Sequence, residues 1–300
     1  MISVFLMGGL GNQLFQIFAT IAYAIQYQTP FVLPYEEKLT TGIIRPTYWN
    51  TFFQRLFQYT TQQKGSMITN TQLFQLPRHL EQRYYKHHII PRYSNNVLLY
   101  GYFQSYKYFD RYSEQITEFI GVRQYQAEMR ARFKELFEDC DGKAIVSMHF
   151  RIGDYAEKQD YHPVMTVDYY INSINYLIKV APNTSFILYF CEEENKSQVE
   201  AMVSQMRAVF PKIFFIRADD SLADWEQLIL MSCCSHHIIA NSTFSWWGAF
   251  FNPKPEKFVF YPDKWLGEKM RAYDIDDLIP SPPCTEFGTW IKISTAAAVR

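Results

Sequence analysis

A histidine, an arginine and an aspartate fall within one short stretch, His149-Phe-Arg-Ile-Gly-Asp-Tyr155, directly behind the apolar run Lys143-Ala-Ile-Val-Ser-Met148. A short β-branched apolar run reads as a buried strand. His149, Arg151 and Asp154 therefore arrive where its carboxyl end opens into a loop, the edge at which open α/β sheets bind ligands. Burying an unpaired guanidinium costs several kcal/mol, so Arg151 needs a carboxylate partner or an anionic ligand. The plainer alternative is an Arg151–Asp154 ion pair that only shapes the turn, and the rest of the chain has to decide.

Two further stretches carry the same kind of chemistry. Gly8-Gly-Leu-Gly-Asn-Gln13 follows the apolar run Ile2–Met7 and precedes a helical pattern over Leu14–Gln28. A glycine turn feeding a helix N-terminus is an anion site, because free backbone N–H groups and the positive end of the dipole converge there. Gly9, Gly11, Asn12 and Gln13 are the candidate binding residues. The third glycine of a dinucleotide fingerprint is replaced by Leu14, and no Gly-Lys-Ser/Thr is present, so the loop points to a phosphate or sugar instead of a nicotinamide cofactor or a Walker-type site. Farther on, Asn241-Ser-Thr-Phe-Ser245 follows His237-Ile-Ile-Ala240 and opens a small-residue helix. One hydroxyl there is a plain N-cap; Asn241, Ser242, Thr243 and Ser245 together, flanking Phe244, are what a diphosphate would need. Trp246-Trp247 just beyond read as packed between helix and sheet.

These stretches need a scaffold that brings strand ends together. Ile2–Met7, the helix Leu14–Gln28 and Phe31–Leu33 read as a βαβ unit. Residues 35–100 show few clean periods, and Val97–Tyr102 reads as a strand followed by helices over 109–119 and 124–137. Glu138–Gly142 breaks the pattern as an interdomain turn. Beyond it come strand 143–149, helix 166–180, strand 185–191, helix 195–209, strand 213–217, helix 222–234 and strand 237–240, closed by Ala240–Ala249. Strands alternating with helices imply parallel sheets with right-handed crossovers. The expected architecture is α/β, with two Rossmann-like domains over 1–141 and 142–300 facing a cleft.

The 300 residues carry a net charge of −1, which leaves no field to draw nucleic acid or an anionic membrane. Aromatic residues are abundant, with 22 Tyr, 25 Phe and 6 Trp, and many lie in polar stretches such as Tyr100–Tyr108, where flat rings suit sugar faces as well as a core. The 5 cysteines have neither even count nor metal spacing, so reduced thiols and a cytoplasmic setting are expected. The N-terminal run lacks a basic leader and is too short to span a bilayer. The acceptor patterns at Asn183, Asn195 and Asn241 would then carry no glycan.

Other metal-like patterns converge poorly. Neighbours in Cys233-Cys-Ser-His-His237 diverge at a helix end, and His87-His88 point apart. Asp139-x-Asp141 and Asp274-x-Asp276 have the two-carboxylate form of cation-binding sugar-nucleotide enzymes, but neither adjoins the glycine loop or Arg151. No metal is expected.

Taken together, Gly8–Gln13, His149-x-Arg151-x-Gly153-Asp154-Tyr155 and Ala240–Gly248 resemble the α1,2-fucosyltransferases of glycosyltransferase family 11. The similarity runs over nearly the whole chain, including Gly101–Phe109 and Leu228–Asn241. It implies a GT-B-like fold, GDP-β-L-fucose as donor, and transfer with inversion to the 2-hydroxyl of a galactose-terminated glycan, without metal or other cofactor. Animal members carry a membrane anchor, which has no counterpart here, so the chain looks like the microbial or viral type. The resemblance puts Arg151 on the β-phosphate as it leaves. It sets Asn12, Ser242 and Thr243 along the diphosphate, with His149 and Asp220 near the guanine. Apart from the resemblance, the position of Asp154 makes it either the base that takes the acceptor proton or the partner that holds Arg151. Where the family usually has a second arginine this chain has Ile152, as in related protein O-fucosyltransferases, and that bears on the acceptor more than the donor. A protein hydroxyl is the alternative acceptor; a nicotinamide-dependent oxidoreductase and a non-catalytic glycan-binding protein are the readings outside the class.

Overall fold

The computed structural model describes residues 1–66, 68–138, 143–281 and 285–297. They form two compact α/β units, Met1–Arg123 with Asp274–Pro280, and Gln124–Tyr273 with Ser281–Arg300. Residues 139–142 of the expected interdomain turn, and with them Asp139 and Asp141, lie outside the described residues.

The first unit runs β1 (Ile2–Val4), α1 (Leu10–Tyr27), a short antiparallel pair β2 (Lys38–Leu39) and β3 (Arg45–Pro46), α2 (Asn70–Phe74), β4 (Arg78–Leu80), β5 (Val97–Tyr100) and α3 (Ser113–Ile120). Its parallel sheet has the order β1-β5-β4. The expected second strand, Phe31–Leu33, shrinks to single parallel bridges, Ile2 to Phe31 and Leu33 to Thr60. Pro30 and Pro34 flank it, and proline cannot donate to a ladder. Helix α1 starts at Leu10, ahead of the expected Leu14, with Gly9 as its N-cap. Only Gly8 and Gly9 make the turn; Gly11, Asn12 and Gln13 belong to the first helical turn. Gly8 has φ +77°, and a Cβ there would lie 2.4 Å from the Asn12 side-chain nitrogen, so the turn demands glycine.

The helix expected over 124–137 is two, α4 (Val122–Arg132) and α5 (Lys134–Glu138). The second unit continues with β6 (Ala144–His149), α6 (Val167–Val180), β7 (Thr184–Phe190), α7 (Lys196–Val209), β8 (Phe214–Arg217), α8 (Asp224–Ser232), β9 (His236–Ile238), α9 (Thr243–Phe250), β10 (Phe258–Pro262) and β11 (Thr289–Ile293). All six strands are parallel, in the order β11-β10-β9-β6-β7-β8. Every residue of β6 is buried, as both faces of a parallel sheet require. On one face Tyr170, Ile174 and Leu177 of α6 and Val199, Val203 and Met206 of α7, spaced at helical intervals, pack with Val146, Met148 and Ile187 of the strands. Trp246 and Trp247 are fully buried.

This order fixes where a ligand can sit. The chain lays down β6, β7 and β8 in one direction, then returns to place β9 on the other side of β6. The switch point lies between β6 and β9, the two strands whose carboxyl ends lead into His149–Tyr155 and Asn241–Ser245.

The discounted patterns have structural work. His237 accepts the Asn252 side-chain N–H at Nε2 (2.8 Å), so its Nδ1–H donates to Ser147 Oγ (2.8 Å). His236 Nδ1 accepts from Phe258 N at 3.1 Å. The Cys233 and Cys234 thiols donate to the carbonyls of Gln126 and Leu230. Asp274 pairs with Lys86 at 3.1 Å, and Asp277 with Lys107 at 2.5 Å, which fastens the returning segment Asp274–Pro280 to its unit.

Candidate active site

The loop leaving β6 is organised around Arg151. Its Nη2 donates to Asp154 Oδ1, three residues on, and its Nη1 donates to Glu192 Oε1 from the loop after β7. Its guanidinium also lies over the Tyr155 ring, 4.8 Å from the centroid, and that ring stacks on His162 at 4.8 Å and 20°. With a side-chain exposure of 16%, the charge is removed from bulk water and anchored on three sides. That arrangement makes a fixed guanidinium, not a wandering surface one.

The backbone is shaped to allow it. Gly153 has φ +29°, and a Cβ there would come within 2.4 Å of Glu192 Oε2 and 3.0 Å of Arg151 Nη1. Its N–H donates to Asn195 Oδ1 at 3.0 Å. Two loops from neighbouring strands are thereby tied together, one through a charge pair and the other through an amide. Glu192 and Asn195 escape a motif search; what marks them is their place, a polar run directly after a buried strand beside β6.

The other wall comes from β9. Ser242 caps α9 by accepting the Phe244 N–H (3.3 Å), and Ser245 Oγ donates back to Ser242 O (3.4 Å). Asn241 is buried, its Nδ2 donating to Pro163 O and Trp265 O at 3.0 Å each. Of the four candidate polar groups, only Thr243 keeps a partly exposed side chain, on the first turn of α9, beside Phe244. The two motifs meet directly: the Tyr155 hydroxyl donates to Asn241 O at 3.4 Å, and the His149 and Phe244 rings lie 5.5 Å apart.

His149 is buried, its Nδ1 has no hydrogen-bond partner, and burial, helped by the Arg151 charge, pushes its pKa down to about 3. The ring is neutral at physiological pH and offers a hydrogen bond, not a charge. Burial also lowers the pKa of His162.

Asp220 stands apart. It lies beyond β8, two strands from β6, where it faces Arg217 at 2.6 Å without hydrogen-bond geometry and Lys196 at 4.0 Å. Gly9, Gly11, Asn12 and Gln13 belong to the first unit. Gln13 is fully buried and spends its amide N–H groups on Gly8 O (3.0 Å) and Pro46 O (2.9 Å). Asn12 Oδ1 accepts from Gln104 Nε2 at 2.7 Å. Among the described residues no three His, Cys, Asp or Glu converge as a metal site would require, and no helix is long and apolar enough to cross a membrane.

Residues 1–262 match the model of glycosyl transferase family 11. The chain belongs to glycosyl transferase family 11. Two curated relatives from Escherichia coli are each 25% identical. The O-antigen biosynthesis glycosyltransferase WbnK aligns over 89% of this chain and 95% of its own. An alpha-1,2-colitosyltransferase aligns over 96% and 97%. Two solved structures are distant: a mutant of Arabidopsis thaliana FUT1 in complex with GDP (8% identity, TM-score 0.45, 88% of this chain and 71% of that one) and a glycosyl transferase family 9 protein from Veillonella parvula (12%, 0.44, 98% and 85%). The family 11 chain is thus a glycosyltransferase.

Proposed function

We propose that this glycosyltransferase moves L-fucose from GDP-β-L-fucose to the 2-hydroxyl of a terminal galactose, giving an α1,2 linkage without a metal ion. The observation that carries the reading is the anchored Arg151 guanidinium on the loop after β6, a loop that meets the segment opening α9 through the Tyr155–Asn241 hydrogen bond. When the C1–O bond to the diphosphate breaks, its electron pair leaves with GDP. A fixed cation and helix N–H dipoles lower the barrier as that charge builds. Such a preorganised group typically contributes about a hundredfold to a thousandfold in rate, and it does for the diphosphate what a divalent cation does elsewhere.

The acceptor oxygen attacks C1 from the face opposite the diphosphate, so one displacement turns a β-linked donor into an α-linked product. Its proton has to go to a base. Asp154 Oδ1 already accepts from Arg151; Oδ2, 3.8 Å from Lys158 Nζ, is the oxygen assigned to receive it. His149 and Asp220 are assigned to the guanine, Thr243 and the first-turn amides of α9 to the diphosphate, and Asn12 of the glycine loop to a further contact with the sugar nucleotide.

The α1,2 linkage has support in the name of the colitosyltransferase relative. That name also favours a second donor, colitose in place of fucose. Incubating the enzyme with GDP-fucose or with nucleotide-linked colitose, with lactose as acceptor and EDTA present, and then determining the linkage by NMR tests both. An α1,2-fucosylated galactoside is the expected product. A colitosylated product alone would move the donor assignment, and transfer that requires added metal would refute the mechanism.

A further inference from the structure

The sugar-nucleotide assignment leaves one half-buried carboxylate of the first unit without a task. Glu81 follows β4, at the carboxyl edge of the parallel sheet. Its two oxygens accept backbone N–H groups from the loop after β5: Oε2 from Tyr102 at 2.7 Å and Oε1 from Phe103 at 3.0 Å. The Gln104 N–H adds to them. A carboxylate that gathers three consecutive amides replaces the partners a regular turn would provide.

The loop it holds is one the backbone would not choose. Phe103 is a non-glycine residue at φ +52° with a fully buried ring, a conformation that costs about 1 kcal/mol or more and persists only when its surroundings enforce it. Gly101 has φ +156°, and a Cβ on it would lie 2.3 Å from Glu81 Cβ. The close approach of Glu81 thus requires the glycine, and its carboxylate accepts the N–H of the strained residue two positions on.

What the loop delivers is Gln104. Its amide donates to Asn12 Oδ1 at 2.7 Å, while the Gly101 carbonyl accepts from Gln16 Nε2 at 2.9 Å on the same helix. We propose that Glu81 is a positioning residue, acting through the 101–104 loop and Gln104 to hold Asn12 of the glycine loop for the sugar nucleotide. The proposal rests on the assignment of Asn12 made above.

Burial raises the Glu81 pKa to about 7. The titratable groups that act with it are phenols: Tyr102 and Tyr108, both shifted upward by burial, are neutral at that pH. Lys107 is committed to Asp277 at 2.5 Å, and Arg78 of β4 lies over the Tyr100 ring, 4.8 Å from its centroid. Because desolvation outweighs the three N–H bonds, the protonated carboxyl favours the closed loop, and the hold on the loop weakens as the pH rises through about 7.

A double-mutant cycle with Glu81→Gln and Asn12→Ala, read as kcat/KM for the donor and as amide hydrogen exchange, tests this. Each single variant should lose about tenfold in kcat/KM, mainly in donor KM, and the double variant should lose no more than Asn12→Ala alone. Glu81→Gln should also remove the pH dependence near neutrality, both of kcat/KM and of the exchange protection at residues 102–104. Gln104→Met, which cuts the link while leaving Glu81 in place, should repeat the loss and guards against misfolding of the first variant. Losses that multiply in the double variant would overturn the proposal in favour of a purely structural role. Wild-type kinetics for Asn12→Ala alone would instead refute the assignment on which it rests, and the exchange data would then stand separately.

Discussion

Arg151 and Glu192 come from loops after adjacent strands, and their side chains pair directly, with Nη1 donating to Oε1. A second carboxylate, Asp154, takes the other nitrogen. The guanidinium is therefore already aimed by two anions, and under the proposed function a donor diphosphate would have to share it with them. Glu192 is the more exposed of the two, at 42% against 29% for Asp154, and under the proposed function is the one a diphosphate would displace.

Removing the Glu192 charge should relieve its repulsion of the diphosphate while Asp154 still anchors Arg151. Glu192→Gln is expected to tighten GDP by about three- to tenfold, a modest factor because solvent and salt screen so exposed a group. Isothermal calorimetry at low and high salt would measure it, with the difference shrinking as salt rises. Weaker binding in this variant would mean that Glu192 orients Arg151 and does not compete with the ligand.

Gly153 should not tolerate a side chain. Gly153→Ala places a methyl group against Glu192 and Arg151 at a positive φ, so the loop has to move, and displacement by about an ångström in such a site can cost a hundredfold in kcat/KM. Circular dichroism should report a folded protein, since the strain is confined to one loop.

Asp154→Asn separates base from support. The asparagine oxygen can still accept from Arg151, so GDP affinity should remain near wild type, whereas kcat should fall by about a hundredfold to ten-thousandfold if the proton goes to this residue. A loss of GDP affinity with kcat retained would make Asp154 a support for the arginine alone.

Buried imidazoles set the acid limit of stability. Burial holds His149 at about 3, His236 at about 4 and His237 well below the usual value. Each is neutral in the fold and takes up a proton on unfolding, so its contribution is complete above about pH 6.5 and is lost as the pH falls toward the folded values. Glu81 has the opposite sign: its raised pKa makes the folded state hold a proton that the unfolded chain releases, which favours the fold below about pH 4.5 and is lost as the pH rises through about 7. Urea midpoints across this range should fall on acidification, and the fall should be steeper in Glu81→Gln. An equal slope in the two proteins would contradict the Glu81 assignment.

The sequence was most legible where burial is two-sided. The strands and helices from Ala144 to Ile238 lie within two residues of the expected bounds at every end, because a parallel sheet asks for unbroken apolar runs separated by amphipathic helices. The series did not close at Ala240–Ala249 as expected: β10 and β11 follow. β10 runs into Pro262, and β11 alternates Trp290 and Ile291 with Lys292 at an edge, so neither offers a long apolar run. The first unit was harder, because its strands of three or four residues leave little period to read.

At the candidate site the arginine and its loop were visible as a charged group behind a buried strand. Its second carboxylate was not, since Glu192 stands forty-one residues from Arg151 in the chain and only strand order makes them neighbours. Glu81 was hidden for a similar reason: its chemistry is set by burial and by the three amides it collects, neither of which is written in its local sequence.

The most direct test of the account is GDP release from GDP-fucose in EDTA, measured with and without a galactoside for wild-type protein and Arg151→Ala. The account predicts galactoside-stimulated release by the wild type and a loss of at least about a hundredfold in the variant, with the fold retained. Wild-type turnover in Arg151→Ala, or release that appears only when a divalent cation is added, would contradict it.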